Sequence, residues 1–104
     1  MFGFRRNTTP SGTDLKKEIT ENNGVIIDCR TAGERAMGTL PGAVGADWLS
    51  GEVHNQFKSW DPSKHYYLFC RSGNRSGQAT SFLKAQGFEN VTNIGAYDSL
   101  AGLF

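Results

Sequence analysis

Two short stretches, Val25-Ile26-Ile27-Asp28-Cys29 and Tyr66-Tyr67-Leu68-Phe69-Cys70, restrict the fold more than anything else in this chain of 104 residues. Each is a nearly continuous apolar run bounded by turn formers, without apolar–polar alternation. Strands of that kind are covered on both faces, as in a parallel sheet with helices on either side. Helical patterns lie around them. Ser11-Gly12-Thr13-Asp14 opens one like a capping box, with Leu15 and Ile19 on one face and Asn22-Asn23-Gly24 as its stop. A short helix is expected over 31–37, and a weak one over 50–60 with Val53, Phe57 and Trp60 at helical spacing. Another is expected over 77–86, with Ala79, Phe82 and Leu83 inward and Gly87 ending it. Shorter strands fit 43–46 and 91–94, with a final helical turn or two over 97–103. This alternation predicts one α/β domain with a mostly parallel central sheet flanked by helices. Residues 1–12, polar and rich in turn formers, read as a flexible entry segment, and 13–104 as the domain.

Composition removes several function classes. The formal net charge is +1, which gives no electrostatic case for nucleic acid as a partner. The two cysteines, Cys29 and Cys70, form no Cys-x-x-Cys pair, and His54 and His65 stand apart, so neither a metal site nor another cofactor is expected. Two cysteines are too few for a secreted disulfide framework, which points to reduced thiols in the cytoplasm. Arg5-Arg6 is not followed by the apolar run of a signal peptide. No stretch approaches the roughly 20 apolar residues of a membrane span.

Chemistry concentrates in Phe69-Cys70-Arg71-Ser72-Gly73-Asn74-Arg75-Ser76-Gly77. Cysteine ends an apolar strand, a short loop with a glycine and two arginines follows, and a helix begins after it. Strand C-termini of an open parallel sheet face the ligand crevice, so Cys70 is expected there. Gly73 and Asn74 tolerate the positive φ of a tight turn. Ser76 is a candidate cap for the following helix. Inward N–H groups of residues 71–76 and the helix N-terminus make an anion cradle. Such a cradle lowers a thiol pKa and favours the reactive thiolate, or a persulfide anion. Arg71 and Arg75 add positive charge that draws small anionic donors. A buried, inert strand-end cysteine is the simpler reading in general, but two arginines and a glycine turn do not suit an apolar pocket.

This loop, with Gly77-Gln78-Ala79 after it, resembles the active-site loop of single-domain rhodaneses. Ile27-Asp28-Cys29-Arg30-Thr31 is similar to the Asp-x-Arg motif of that family, and Gly38-Thr39-Leu40-Pro41-Gly42-Ala43 to its Gly-His-Ile-Pro-Gly-Ala stretch. The resemblance spans residues 25–100. It implies a double displacement: thiosulfate gives sulfur to Cys70 and leaves as sulfite, and cyanide or another thiophilic acceptor, including a protein, takes it. Related cysteine phosphatases use a Cys-x5-Arg loop. Here four residues separate Cys70 from Arg75, a smaller cradle that disfavours a tetrahedral oxyanion. The alternative is a sulfur-carrier or partner-binding module without turnover. Such modules usually lose the cysteine or the arginine, and this chain keeps both.

Asp28 and Arg30 are expected to support the loop rather than react, Asp28 accepting hydrogen bonds from the loop backbone and Arg30 pairing with Glu34. Thr39 replaces the family's usual histidine at a position read as structural. Cys29 replaces a usual aliphatic residue and is expected to fill a buried site. A minor reading has it meet Cys70 in a disulfide. Trp48, Phe57 and Trp60 are core candidates, Trp48 with a weaker claim to the site rim.

Overall fold

A computed structural model describes residues 12–104. Of the entry segment expected over 1–12, residues 1–11, with the Ser11 cap, lie outside that range; Gly12 belongs to the first helix. The strands are β1 (Val25–Asp28), β2 (Val44–Gly45), β3 (Tyr66–Cys70) and β4 (Val91–Ala96). The helices are α1 (Gly12–Glu21), α2 (Ala32–Ala36), α3 (Glu52–Gln56), α4 (Asn74–Ala85) and α5 (Tyr97–Leu100). All strand pairs are parallel and the order across the sheet is β2-β1-β3-β4. Strand order reverses between β1 and β3, which makes the C-terminal ends of these two strands the switch point where α/β sheets bind ligands.

Both faces of the sheet are covered, as the apolar runs require. Ile27, Leu68 and Cys70 pack with Val53 of α3 and Ala79 and Leu83 of α4. On the opposite face Ile26, Tyr67 and Phe69 pack with Leu15 and Ile19 of α1 and Leu100 of α5. Every residue of β3 is buried. Phe57, Trp60 and Trp48 sit half-buried at the edge of the first layer. Among the described residues no helix is long and apolar enough to cross a membrane.

Helix ends follow local chemistry. Gly87 (φ 97°) ends α4, with its N–H on Lys84 O at 3.1 Å and the Phe88 N–H on Leu83 O at 3.1 Å, the Schellman pattern. Asn23, with φ 52°, takes the same left-handed role after α1. Gly24 serves a different need: a Cβ there would lie 2.4 Å from the Tyr67 ring. Gly24→Ala is therefore expected to cost about 1–3 kcal/mol through overpacking. Urea unfolding measures this, and an unchanged midpoint would contradict the contact.

Between β3 and β4 the ladder slips. Leu68 pairs with Asn93 but Phe69 pairs with Gly95, so Ile94 is an extra residue in β4. Such a bulge re-aims neighbouring side chains, and here it turns Asn93 toward the loop after β3.

Candidate active site

The loop after β3 is shorter than its sequence suggests. Helix α4 starts at Asn74, three residues before the expected Gly77, because Gly73 adopts φ 95° and reverses the chain at once. Asn74 is helical, so only Gly73 uses the left-handed region. Ser76 does not cap α4 but lies in its first turn, and Gly73 at the cap position offers no side chain. The cap is the sulfur. Cys70 Sγ accepts from the Gly73 N–H at 3.1 Å and from the Ser76 N–H at 3.4 Å, donors that a helix start otherwise leaves without partners.

The electrostatics follow. Burial pushes the Cys70 thiol up, but the Ser76 hydroxyl and the N–H groups of Ser76, Gly73 and Ser72 outweigh it and hold the pKa below the ordinary thiol value. The positive end of α4 acts in the same direction. Ser76 Oγ lies 3.4 Å from Cys70 Sγ and 2.7 Å from Asn93 Oδ1. One hydroxyl proton serves two acceptors, so it turns to the sulfur when the sulfur is charged. Asn93 also donates to Gly73 O at 3.0 Å and fixes the turn. No pattern in the sequence marks Asn93, since its position depends on the bulge.

Cys70 lies at the C-terminal end of β3. The residue has no exposed surface, while Arg71, Ser72 and Asn74 around it are exposed.

Arg75 does not stand free beside the sulfur. Its guanidinium grips Glu34 through two bonds of 2.7 and 3.0 Å. Glu34 in turn closes a capping box with Thr31 at the start of α2. The Arg75 bond, then the Thr31 N–H, bring its carboxyl down to about 2. The Thr31-x-x-Glu34 spacing was the available sign of this role. The expected Arg30–Glu34 pair is thereby corrected. Arg30 binds Asp28 instead, with Nη2 2.8 Å and Nε 3.0 Å from its carboxylate oxygens. It also stacks on Tyr97 with 4.1 Å to the ring centre. Asp28 takes its bonds from Arg30 and from Thr39 Oγ1 at 2.7 Å, where bonds from the Cys70 loop were expected. The two residues brace the turn after β1, with Arg30 also donating to Gly38 O. Trp48 reaches the rim through its indole N–H, 3.0 Å from Gln78 Oε1.

Residues 11–99 match the family model described as Rhodanese-like domain. The chain belongs to the rhodanese-like family. Among curated relatives, the putative sulfurtransferase YtwF of Bacillus subtilis is 35% identical over 78 residues, covering 74% of each chain. A tRNA uridine(34) hydroxylase of Prochlorococcus marinus is 28% identical over 91 residues, and this chain spans 29% of its length. Among solved structures, SSP1007 of Staphylococcus saprophyticus superposes with a TM-score of 0.72 at 32% identity, covering 86% of this chain and 88% of that one. A rhodanese-like domain protein of Staphylococcus aureus gives a TM-score of 0.73 at 28% identity, covering 86% of each.

Proposed function

We propose that this rhodanese-like chain transfers sulfane sulfur from thiosulfate, or a similar small anionic donor, to cyanide or another thiophilic acceptor through a persulfide on Cys70. The single observation behind this reading is the sulfur of Cys70 serving as the N-terminal cap of α4, among the N–H groups of Gly73 and Ser76. The Cys70 thiolate attacks the outer sulfur of thiosulfate. The S–S bond breaks and sulfite leaves with the electron pair. The persulfide then carries its negative charge on the outer sulfur, which can draw on the same donors. Cyanide takes that sulfur as thiocyanate and restores the thiolate. Arg71, exposed on the loop, supplies attraction to the anionic donor. Arg75, compensated by Glu34, ties the first turn of α4 to α2. Ser72 and Asn74 form the rim, and Asp28 with Arg30 supports the turn beside it.

Intact mass after incubation with thiosulfate tests the reading. One sulfur atom should be added, and cyanide should remove it. No mass change at saturating donor would refute it. The cradle makes a further claim. The pH midpoint of Cys70 alkylation should lie below that of a free thiol, and Ser76→Ala should move it upward by removing the hydroxyl that favours the thiolate. An identical midpoint in the variant would take Ser76 out of the cradle.

A further inference from the structure

The sulfur-transfer reading leaves a second buried thiol unused. Asp28 of β1 pairs with Phe69 of β3, and the Cys29 N–H extends the ladder onto Phe69 O at 2.9 Å. The next pair in that parallel register is Cys29 with Cys70. Their side chains also share a face. Ile27 and Cys29 pack with Leu68 and Cys70 beneath α4, while Ile26, Tyr67 and Phe69 point the other way. Neighbouring strands lie about 4.8 Å apart, inside the roughly 4.4–6.8 Å Cα separation that a disulfide bridges. Cys29 is fully buried. Burial, then the neighbouring Cys70 charge, push its thiol well up. Cys29 thus stays protonated while Cys70 carries the reactive charge.

We propose that Cys29 and Cys70 form a redox dithiol that hydroperoxides close into an intramolecular disulfide, reversibly blocking the reactive sulfur. The Cys70 thiolate attacks one peroxide oxygen. The O–O bond breaks, hydroxide leaves, and Cys70 becomes a sulfenic acid. Cys29 then forms the S–S bond as the S–O bond breaks, and the departing hydroxide takes the Cys29 proton as water. Two thiols have lost two electrons to one peroxide. Oxidation of Cys70 also removes the charge that raised Cys29, which favours this second step. The disulfide keeps Cys70 from the irreversible sulfinic and sulfonic acids. Hydrogen peroxide is smaller than thiosulfate, so an opening that admits the sulfur donor admits it.

The test needs no sulfur donor, so its outcome is separate from that of the transfer reading. The reduced wild-type chain is treated with one equivalent of hydrogen peroxide, denatured, alkylated and weighed. The expected product is a monomer that has lost two hydrogens and takes up no alkylating agent until dithiothreitol is added. Cys29→Val, which fills the site with an aliphatic side chain, should instead gain oxygen on Cys70. Under excess peroxide its dithiothreitol-recoverable Cys70 thiol should fall to less than about a tenth of the wild-type value, because nothing diverts the sulfenic acid from the irreversible sulfinic and sulfonic acids. Two alkylatable thiols in peroxide-treated wild type would overturn the proposal. So would a dimer linked through Cys70 with Cys29 still free.

Discussion

In a thiosulfate–cyanide assay, Cys70→Ser is expected to form thiocyanate at least about a thousandfold more slowly than the wild-type chain, because the covalent route disappears. A serine hydroxyl stays protonated at neutral pH and cannot hold a sulfane sulfur as a thiolate does. The fold should tolerate the change. Serine oxygen can accept from the Gly73 and Ser76 N–H groups that now point at the sulfur, and serine differs from cysteine only in the smaller atom at that position. Circular dichroism with thermal melting provides the folding control. Residual turnover within about tenfold of wild type in a well-folded Cys70→Ser chain would exclude the persulfide route.

Asp28→Ala is expected to lower stability by roughly 3–5 kcal/mol, since it strands a buried guanidinium without its counter-charge. Asp28 is wholly buried and the Arg30 side chain is 7% exposed. The variant also takes away the acceptor for Thr39 Oγ1 and for the Arg30 N–H. Adding Arg30→Met to Asp28→Ala should restore much of the loss, because an apolar side chain of similar length leaves no unpaired charge. The midpoint of urea unfolding at constant slope measures both effects. A single variant that unfolds within about 1 kcal/mol of wild type would mean that water or another carboxylate already shares the Arg30 charge.

The sheet was legible because β1 and β3 carry continuous apolar runs, and both proved covered on two faces. The candidate loop stood out because cysteine, glycine and arginine crowd the end of β3. Its detail did not. A helix start is usually read from a side-chain oxygen, and Ser76 offered one. The cap here is a sulfur four residues before the first helical position, which propensity rules do not score. The pairing of Glu34 was misread for a related reason. Local spacing favoured Arg30 one turn away, but its partner Arg75 lies 41 positions along the chain. Asn93 escaped notice because a one-residue slip in β4 decides where it points.

The Glu34–Arg75 fork has a practical consequence for engineering. It joins the turn after β1 to the helix after β3, while Asn93 joins that helix to β4. Grafting residues 70–76 alone onto another parallel sheet would leave Arg75 without its carboxylate and the Gly73 carbonyl without its amide. The transplantable unit is three segments drawn from separate parts of the chain: the Thr31–Glu34 box, the cysteine loop, and the bulged strand beside it.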